Sequence, residues 1–285
     1  MLRIGFVDHH LNNFHANKFL TLLRGPLADL DGRVVAAWES NPSGDEDWCE
    51  KHGVTRAESA VEVAAACDAV MVLAPDNIEM HLALCREVLP SGTPCFIDKF
   101  LAPTLGEAQK IIEMAEEYDA WLFSASALRF AEELQESMSK ARSAPSEAFA
   151  RGMGDWDNYG VHTLSLVLGC MGPGIRRVLD TGKGGSTALT LEYEDGRRAW
   201  VDVREAENQW EALPWSFGFR DGEQYVTQTI KDFDGFYCNL MRRALHAFRT
   251  GRSVVSTQEM LRVVAILEAA GLSRAADGAW IELPV

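Results

Sequence analysis

Over the first 124 residues, short apolar runs alternate with segments whose apolar positions recur at helical spacing. That alternation predicts βαβ units and a parallel sheet. Strands are expected at Leu2 to Val7, Arg33 to Glu39, Ala69 to Leu73, Pro94 to Asp98 and Trp121 to Ser124. In the second of these, Val34-Val35-Ala36-Ala37-Trp38 is the unbroken run of a strand covered on both faces. Helices are expected between them, at about Phe14 to Arg24, Asp45 to His52, Ala60 to Ala66, Asp76 to Leu89 and Thr104 to Tyr118. Asp76 with Glu79, and Thr104 with Glu107, stand at capping-box spacing.

Past residue 124 the pattern changes. After a helix from about Phe130 to Ala141 and another beginning near Tyr159, strands follow one another without helices. They are Arg176 to Asp180, Thr187 to Tyr193, Arg197 to Arg204, Pro214 to Arg220 and Gln224 to Ile230. Asp195-Gly196 marks a hairpin between the second and third. Two helices close the chain, about Phe233 to Thr250 and Met260 to Ala270, the second opened by a capping box of Ser256 and Glu259. The expected fold is α/β: a Rossmann-like parallel sheet in residues 1–124, then an α+β domain with an open, mostly antiparallel sheet in 125–285. The final helices are placed to pack back on the first domain.

Composition narrows the function. A chain of 285 residues, 47% apolar, can bury a full core. Its net charge of −15 repels phosphate backbones and anionic membranes, so neither nucleic acid nor a membrane surface is an expected partner. No apolar run approaches the ~20 residues of a membrane span. The opening Met1-Leu2-Arg3-Ile4-Gly5-Phe6-Val7-Asp8 lacks a signal peptide's apolar region, and a cytoplasmic protein is expected. Six cysteines stand singly, without metal-ligand spacing, and read as small buried thiols.

Ligands of an open parallel sheet sit outside the carboxyl ends of its strands. Here those ends carry Asp8 to Asn13, Glu39 to Asn41, Ala74 to Asn77, Asp98 to Phe100 and Ser124 to Ser126. A dinucleotide loop needs GxGxxG, so that backbone N–H groups reach a pyrophosphate. This loop reads Asp8-His9-His10-Leu11-Asn12-Asn13-Phe14-His15, with side chains at all three glycine positions. It binds phosphate or simply caps a helix. Asp8, His9, His10 and His15 match no standard ligand spacing, and no metal is expected. Glu39 is placed to accept ribose hydroxyls and repel a 2′-phosphate, or is a solvated strand end. Lys99, partly desolvated at the sheet's mouth, would trade a proton with a substrate hydroxyl; a solvated strand-end lysine is the alternative. His162 lies four residues after Asn158 on one helix face, as a proton acceptor or as a packed core residue. In the segment Trp210 to Phe219, Trp215 and Phe217 either line a sugar pocket or belong to a core strand.

Ala74-Pro75-Asp76-Asn77-Ile78-Glu79-Met80-His81, then Asp98-Lys99-Phe100-Leu101-Ala102, then Asn158-Tyr159-Gly160-Val161-His162-Thr163-Leu164-Ser165 resemble, in order and spacing, the signatures of the Gfo/Idh/MocA family of oxidoreductases. The stretch Phe248 to Ala270 is similar to that family's final helix pair. The resemblance implies NAD as cofactor, held by Asp8, His9, Asn13, Glu39, Ser40, Ala74, Pro75, Asn77, His81, Asp98 and Lys99. It implies Lys99 and His162 as catalytic residues, and Arg129, Asn158, Tyr159 and His162 on a carbohydrate-like substrate. It also implies a homo-oligomer formed through the sheet of the second domain. The activity implied is NAD-dependent oxidation or reduction of a sugar, cyclitol or related polyol. Asp8 and the missing glycines motivate an alternative, cofactor-free elimination or isomerisation of a keto-sugar; a non-catalytic ligand-binding protein is the third.

Overall fold

The computed structural model describes residues 1–42, 46–205, 213–253 and 255–284. The chain divides into two compact units, Met1–Ala125 with Tyr237–Met260, and Ser126–Phe236 with Leu261–Val285.

In the first unit, strands β1 (Leu2–Asp8), β2 (Gly32–Glu39), β3 (Thr55–Arg56), β4 (Ala69–Val72), β5 (Cys95–Asp98) and β6 (Leu122–Ala125) form one parallel sheet in the order β3-β2-β1-β4-β5-β6. Helices α1 (Phe14–Arg24), α2 (Trp48–His52), α3 (Ala60–Ala66), α4 (His81–Val88) and α5 (Leu105–Glu117) connect them. Every residue of β4, β5 and β6 is buried, as strands covered on both faces must be. Strand order reverses at β1, between β2 and β4, and the carboxyl ends there are the ligand position of this topology. Gly5 permits the close packing of α3 on β1: a Cβ there would meet Val63 Cγ1 at 2.2 Å.

Two local expectations need correction. The fourth helix starts at His81, not Asp76; Ile78–Met80 is a 3-10 turn, and the Asp76 carboxylate lies 3.7 Å from Lys99 Nζ instead of capping. The short β3 was not anticipated, and the expected start of the second helix, Asp45, lies outside the described residues. By contrast, Thr104 caps α5 as expected: its hydroxyl accepts the Glu107 N–H at 3.3 Å and donates to the Glu107 carboxylate at 2.9 Å.

The second unit contains α6 (Glu132–Lys140), β7 (Glu147–Met153), α7 (Trp156–Met171), β8 (Ile175–Asp180), β9 (Ser186–Tyr193), β10 (Arg198–Arg204), β11 (Ser216–Asp221) and β12 (Gln224–Thr229). Helices α8 (Phe233–Thr250) and α9 (Thr257–Ala275) and strand β13 (Ile281–Glu282) follow, α8 passing into the first unit at Tyr237 and α9 returning at Leu261. The sheet runs β12-β11-β7-β10-β9-β8-β13 and is antiparallel except where β7 pairs with β10. β7, near its middle, was not foreseen: its inward positions are Ala148, Ala150 and Gly152, without the branched or aromatic side chains that mark a strand. α7 starts at Trp156, earlier than expected, because Asp155 accepts the Asn158 N–H and caps it.

Among the described residues no helix is long and apolar enough to cross a membrane. Five cysteines are buried and Cys238 is half-buried; burial pushes the Cys95 thiol up to about 12, which keeps it protonated and inert.

Candidate active site

At the switch point, β1 ends in Asp8, which is only 1% exposed. Three backbone N–H groups converge on its Oδ1: His9 at 2.7 Å, His10 at 3.2 Å and Ala74 at 3.0 Å. Its Oδ2 accepts from Asn13 Nδ2 at 2.8 Å, and Asn13 Oδ1 in turn caps α1 through Ala16 N–H. Burial pushes this carboxyl up to about 7, against the pull of those hydrogen bonds. The next loop amide, Leu11 N–H, donates to Glu39 Oε2 at 2.7 Å, and Glu39 Oε1 accepts from Arg56 at 3.0 Å. Both Glu39 oxygens are therefore engaged within the chain, a carboxylate fixed at the end of β2. His9 Nδ1 lies 2.8 Å from Ser40 Oγ, and burial beside His10 lowers the His9 pKa.

A run of convergent amides is a cradle for an anion. The loop fits an oxyanion, and the one it holds is its own. Asp8, His10 and Asn13 occupy the three glycine positions of a GxGxxG fingerprint.

Lys99 follows β5 and is 5% exposed. Its φ is 59°, and that of Ala74, just past the neighbouring β4, is 40°. Side chains other than glycine sit in this left-handed region at a cost of about 1–3 kcal/mol, and such strain gathers at functional sites. Lys99 is held there from two sides. Its N–H donates to Asp98 Oδ1 at 2.9 Å, and its Nζ donates to the Pro75 carbonyl at 2.6 Å. Asp98 Oδ2 hydrogen-bonds His15 Nδ1, and His15 Nε2 lies 3.4 Å from the Tyr237 hydroxyl. Lys99 thus ends a connected line, Tyr237-His15-Asp98, in which two members were not foreseen. In the sequence His15 stands out only beside Asp8, His9 and His10, at no standard ligand spacing, and Tyr237 meets it across 222 residues of chain. Among the described residues no group of three or more His, Cys, Asp or Glu could hold a metal ion.

His81 corrects an expectation. It is 0% exposed, with Nε2 2.8 Å from the Leu73 carbonyl and Nδ1 3.0 Å from that of Phe100. It ties the ends of β4 and β5 together and does not face a ligand. Burial lowers its pKa and favours the neutral ring. Pro75 is buried beneath Lys99, and Asn77 donates to Glu79 at 3.1 Å.

In the second unit, His162 of α7 is 8% exposed, and its Nδ1 lies 2.8 Å from Ser126 Oγ. Its ring meets Tyr159 and Trp215 edge-on, with centroids 5.9 and 5.7 Å away. Asn158, one turn earlier, and Tyr159 are half-buried beside it. Ser126 was the missing partner; it hydrogen-bonds across 36 residues and leaves no local signal. Trp215 is buried beside His162, Phe217 is a core residue of β11, and Trp210 lies outside the described residues. Arg129 packs against Gly169, two turns of α7 beyond His162.

Comparison with known proteins agrees with this architecture. Residues 4–126 match the Gfo/Idh/MocA model, described as an oxidoreductase family with an NAD-binding Rossmann fold. GenD2 from gentamicin A biosynthesis, solved in complex with NAD, is similar over 100% of this chain and 97% of its own, at 18% identity and a TM-score of 0.81. A putative myo-inositol dehydrogenase from Sinorhizobium meliloti is similar over 100% of both chains, at 14% identity and a TM-score of 0.81. The UDP-N-acetylglucosamine 3-dehydrogenase GnnA from Acidithiobacillus ferrooxidans is similar over 96% of this chain and 97% of its own, at 16% identity and a TM-score of 0.74. With its sheet order and these likenesses, the chain as a whole has the fold of these solved dehydrogenases, and its residues 4–126 are similar to the Gfo/Idh/MocA oxidoreductase family model.

Proposed function

We propose that this protein is an NAD-dependent oxidoreductase acting on a hydroxyl or carbonyl of a sugar, cyclitol or related polyol. The observation that carries the reading is Lys99, buried and strained at the switch-point end of the sheet, with its ammonium on the Pro75 carbonyl. The substrate class is supported by the similar structures, among them the putative myo-inositol dehydrogenase and the UDP-N-acetylglucosamine 3-dehydrogenase.

NAD, when bound, takes or gives the hydride. The residues that would hold it are those at the carboxyl ends of β1, β2, β4 and β5. Glu39 keeps a negative charge at the end of β2 and disfavours a 2′-phosphate there. In the oxidation direction Lys99, as the amine, receives the hydroxyl proton; in reduction, as the ammonium, it returns it. The bond to Pro75 O restrains Nζ, and Asp98 fixes the backbone that carries it. His162, oriented through Ser126, is proposed as the second proton-handling group, with Asn158 and Tyr159 beside it at the substrate. Homo-oligomer formation is assigned to the outer face of the second unit's sheet, where Trp200 is 41% exposed.

Calorimetric titration with NAD and NADP tests the cofactor: measurable affinity for NAD, and weaker affinity for NADP, are expected. No binding of either at millimolar concentration would overturn the reading. His162→Asn is expected to lower turnover of the responsive polyol by about 10²-fold. Combined with Lys99→Met it should be little worse than the poorer single variant, since residues acting as a unit are not additive. Fully multiplicative losses would separate the two roles.

A further inference from the structure

Every backbone N–H from His9 to Leu11 is spent on a carboxylate of the chain itself. Two point at Asp8 Oδ1, joined there by Ala74 N–H from the end of β4, and the third points at Glu39. Three amides on one oxygen is the geometry offered to a phosphate oxygen, and this loop at the amino end of α1 is where a dinucleotide's diphosphate lies in such a sheet. Glycine at position 8 would leave those amides open. Aspartate there fills them with the right charge and the right atom.

We propose that Asp8 is a built-in anion that occupies the diphosphate cradle, so that a dinucleotide gains it only by displacing the Asp8 side chain, and that Asp8 thereby sets the cofactor affinity of this chain. The inference rests on the NAD reading of the preceding section. Its physical basis is competition: the same N–H groups cannot serve the carboxylate and a phosphate oxygen together. The occupant is a displaceable one, because burial works against the Asp8 charge while a diphosphate keeps part of its surface in water. Glu39 is not the competitor. It is tied at once to Leu11 and to Arg56, which itself also binds Asp47 at 2.8 Å.

The test is the affinity of wild type, Asp8→Gly and Asp8→Asn for three probes, NAD, ADP-ribose and adenosine, by calorimetry at one pH and ionic strength. Asp8→Gly is expected to bind NAD and ADP-ribose about 10-fold or more tighter than wild type, the worth of freed charge-assisted hydrogen bonds. Adenosine, lacking the diphosphate, should bind all three proteins alike. Asp8→Asn keeps the shape and an acceptor oxygen but drops the charge, and should fall between; it carries the test if Asp8→Gly does not fold, as judged by its melting curve. Equal NAD affinity in wild type and both variants would overturn the proposal while leaving the NAD reading intact. So would a gain for adenosine as large as that for ADP-ribose. Failure of all three proteins to bind NAD or ADP-ribose would overturn both.

Discussion

Lys99→Met is expected to leave the melting temperature nearly unchanged and to lower turnover by about 10² to 10⁴-fold, the usual worth of a positioned acid or base. Methionine nearly keeps the volume, so packing around the end of β5 changes little. What disappears is the nitrogen on the Pro75 carbonyl, the group proposed above to exchange a proton with the substrate oxygen. The left-handed backbone persists, because Asp98 Oδ1 still accepts the residue's N–H. Steady-state kinetics with the responsive polyol, beside a thermal melt, decides the matter. Full activity in a stable variant would show that Lys99 only braces the turn after β4.

The largest stability effect is expected at Asp180, far in sequence from the loop ends discussed above. Its side chain is fully buried at the end of β8. Oδ1 accepts the N–H groups of Gly182 and Ala188 at 2.8 and 3.0 Å, and Oδ2 accepts Arg274 Nε and Nη2 at 3.0 and 2.9 Å. Asp180→Ala removes all four bonds and leaves two part-buried amides without an acceptor. Breaking a buried pair costs about 3–5 kcal/mol, but Arg274 is half exposed and is re-solvated once released. We therefore expect about 3 kcal/mol, a fall of roughly 5 °C in Tm for a chain of this size. A shift under about 2 °C by calorimetry would mean that water replaces the carboxylate at little cost.

The two units were not equally legible in the amino-acid order. In the first, strands buried on both faces announce themselves as apolar runs, and the order of apolar runs and helices led directly to a parallel sheet. In the second, β7 hides because its inward residues are alanine and glycine; it is central through backbone pairing with β10 and β11, which side-chain identity does not encode. The site followed the same division. Lys99, with Asp98 directly before it, and His162 are visible as polar residues beside apolar elements, yet their partners His15, Tyr237 and Ser126 owe their roles to tertiary approach. Asp76 misled for a related reason: a capping spacing is necessary for a cap, and here the carboxylate turns toward Lys99 instead.

That the first unit takes residues 1–125 and then returns for 237–260 has a consequence for biosynthesis. Phe248 covers Trp121 and Phe123, and Met260 Sδ receives the Ser124 N–H at 3.0 Å, so the edge of the sheet at β6 is finished by the late segment. At roughly 5–20 residues per second on the ribosome, that segment emerges on the order of ten seconds after β6. For that interval the nascent sheet carries an uncovered aromatic edge, which makes the half-made chain a natural client for a holding chaperone.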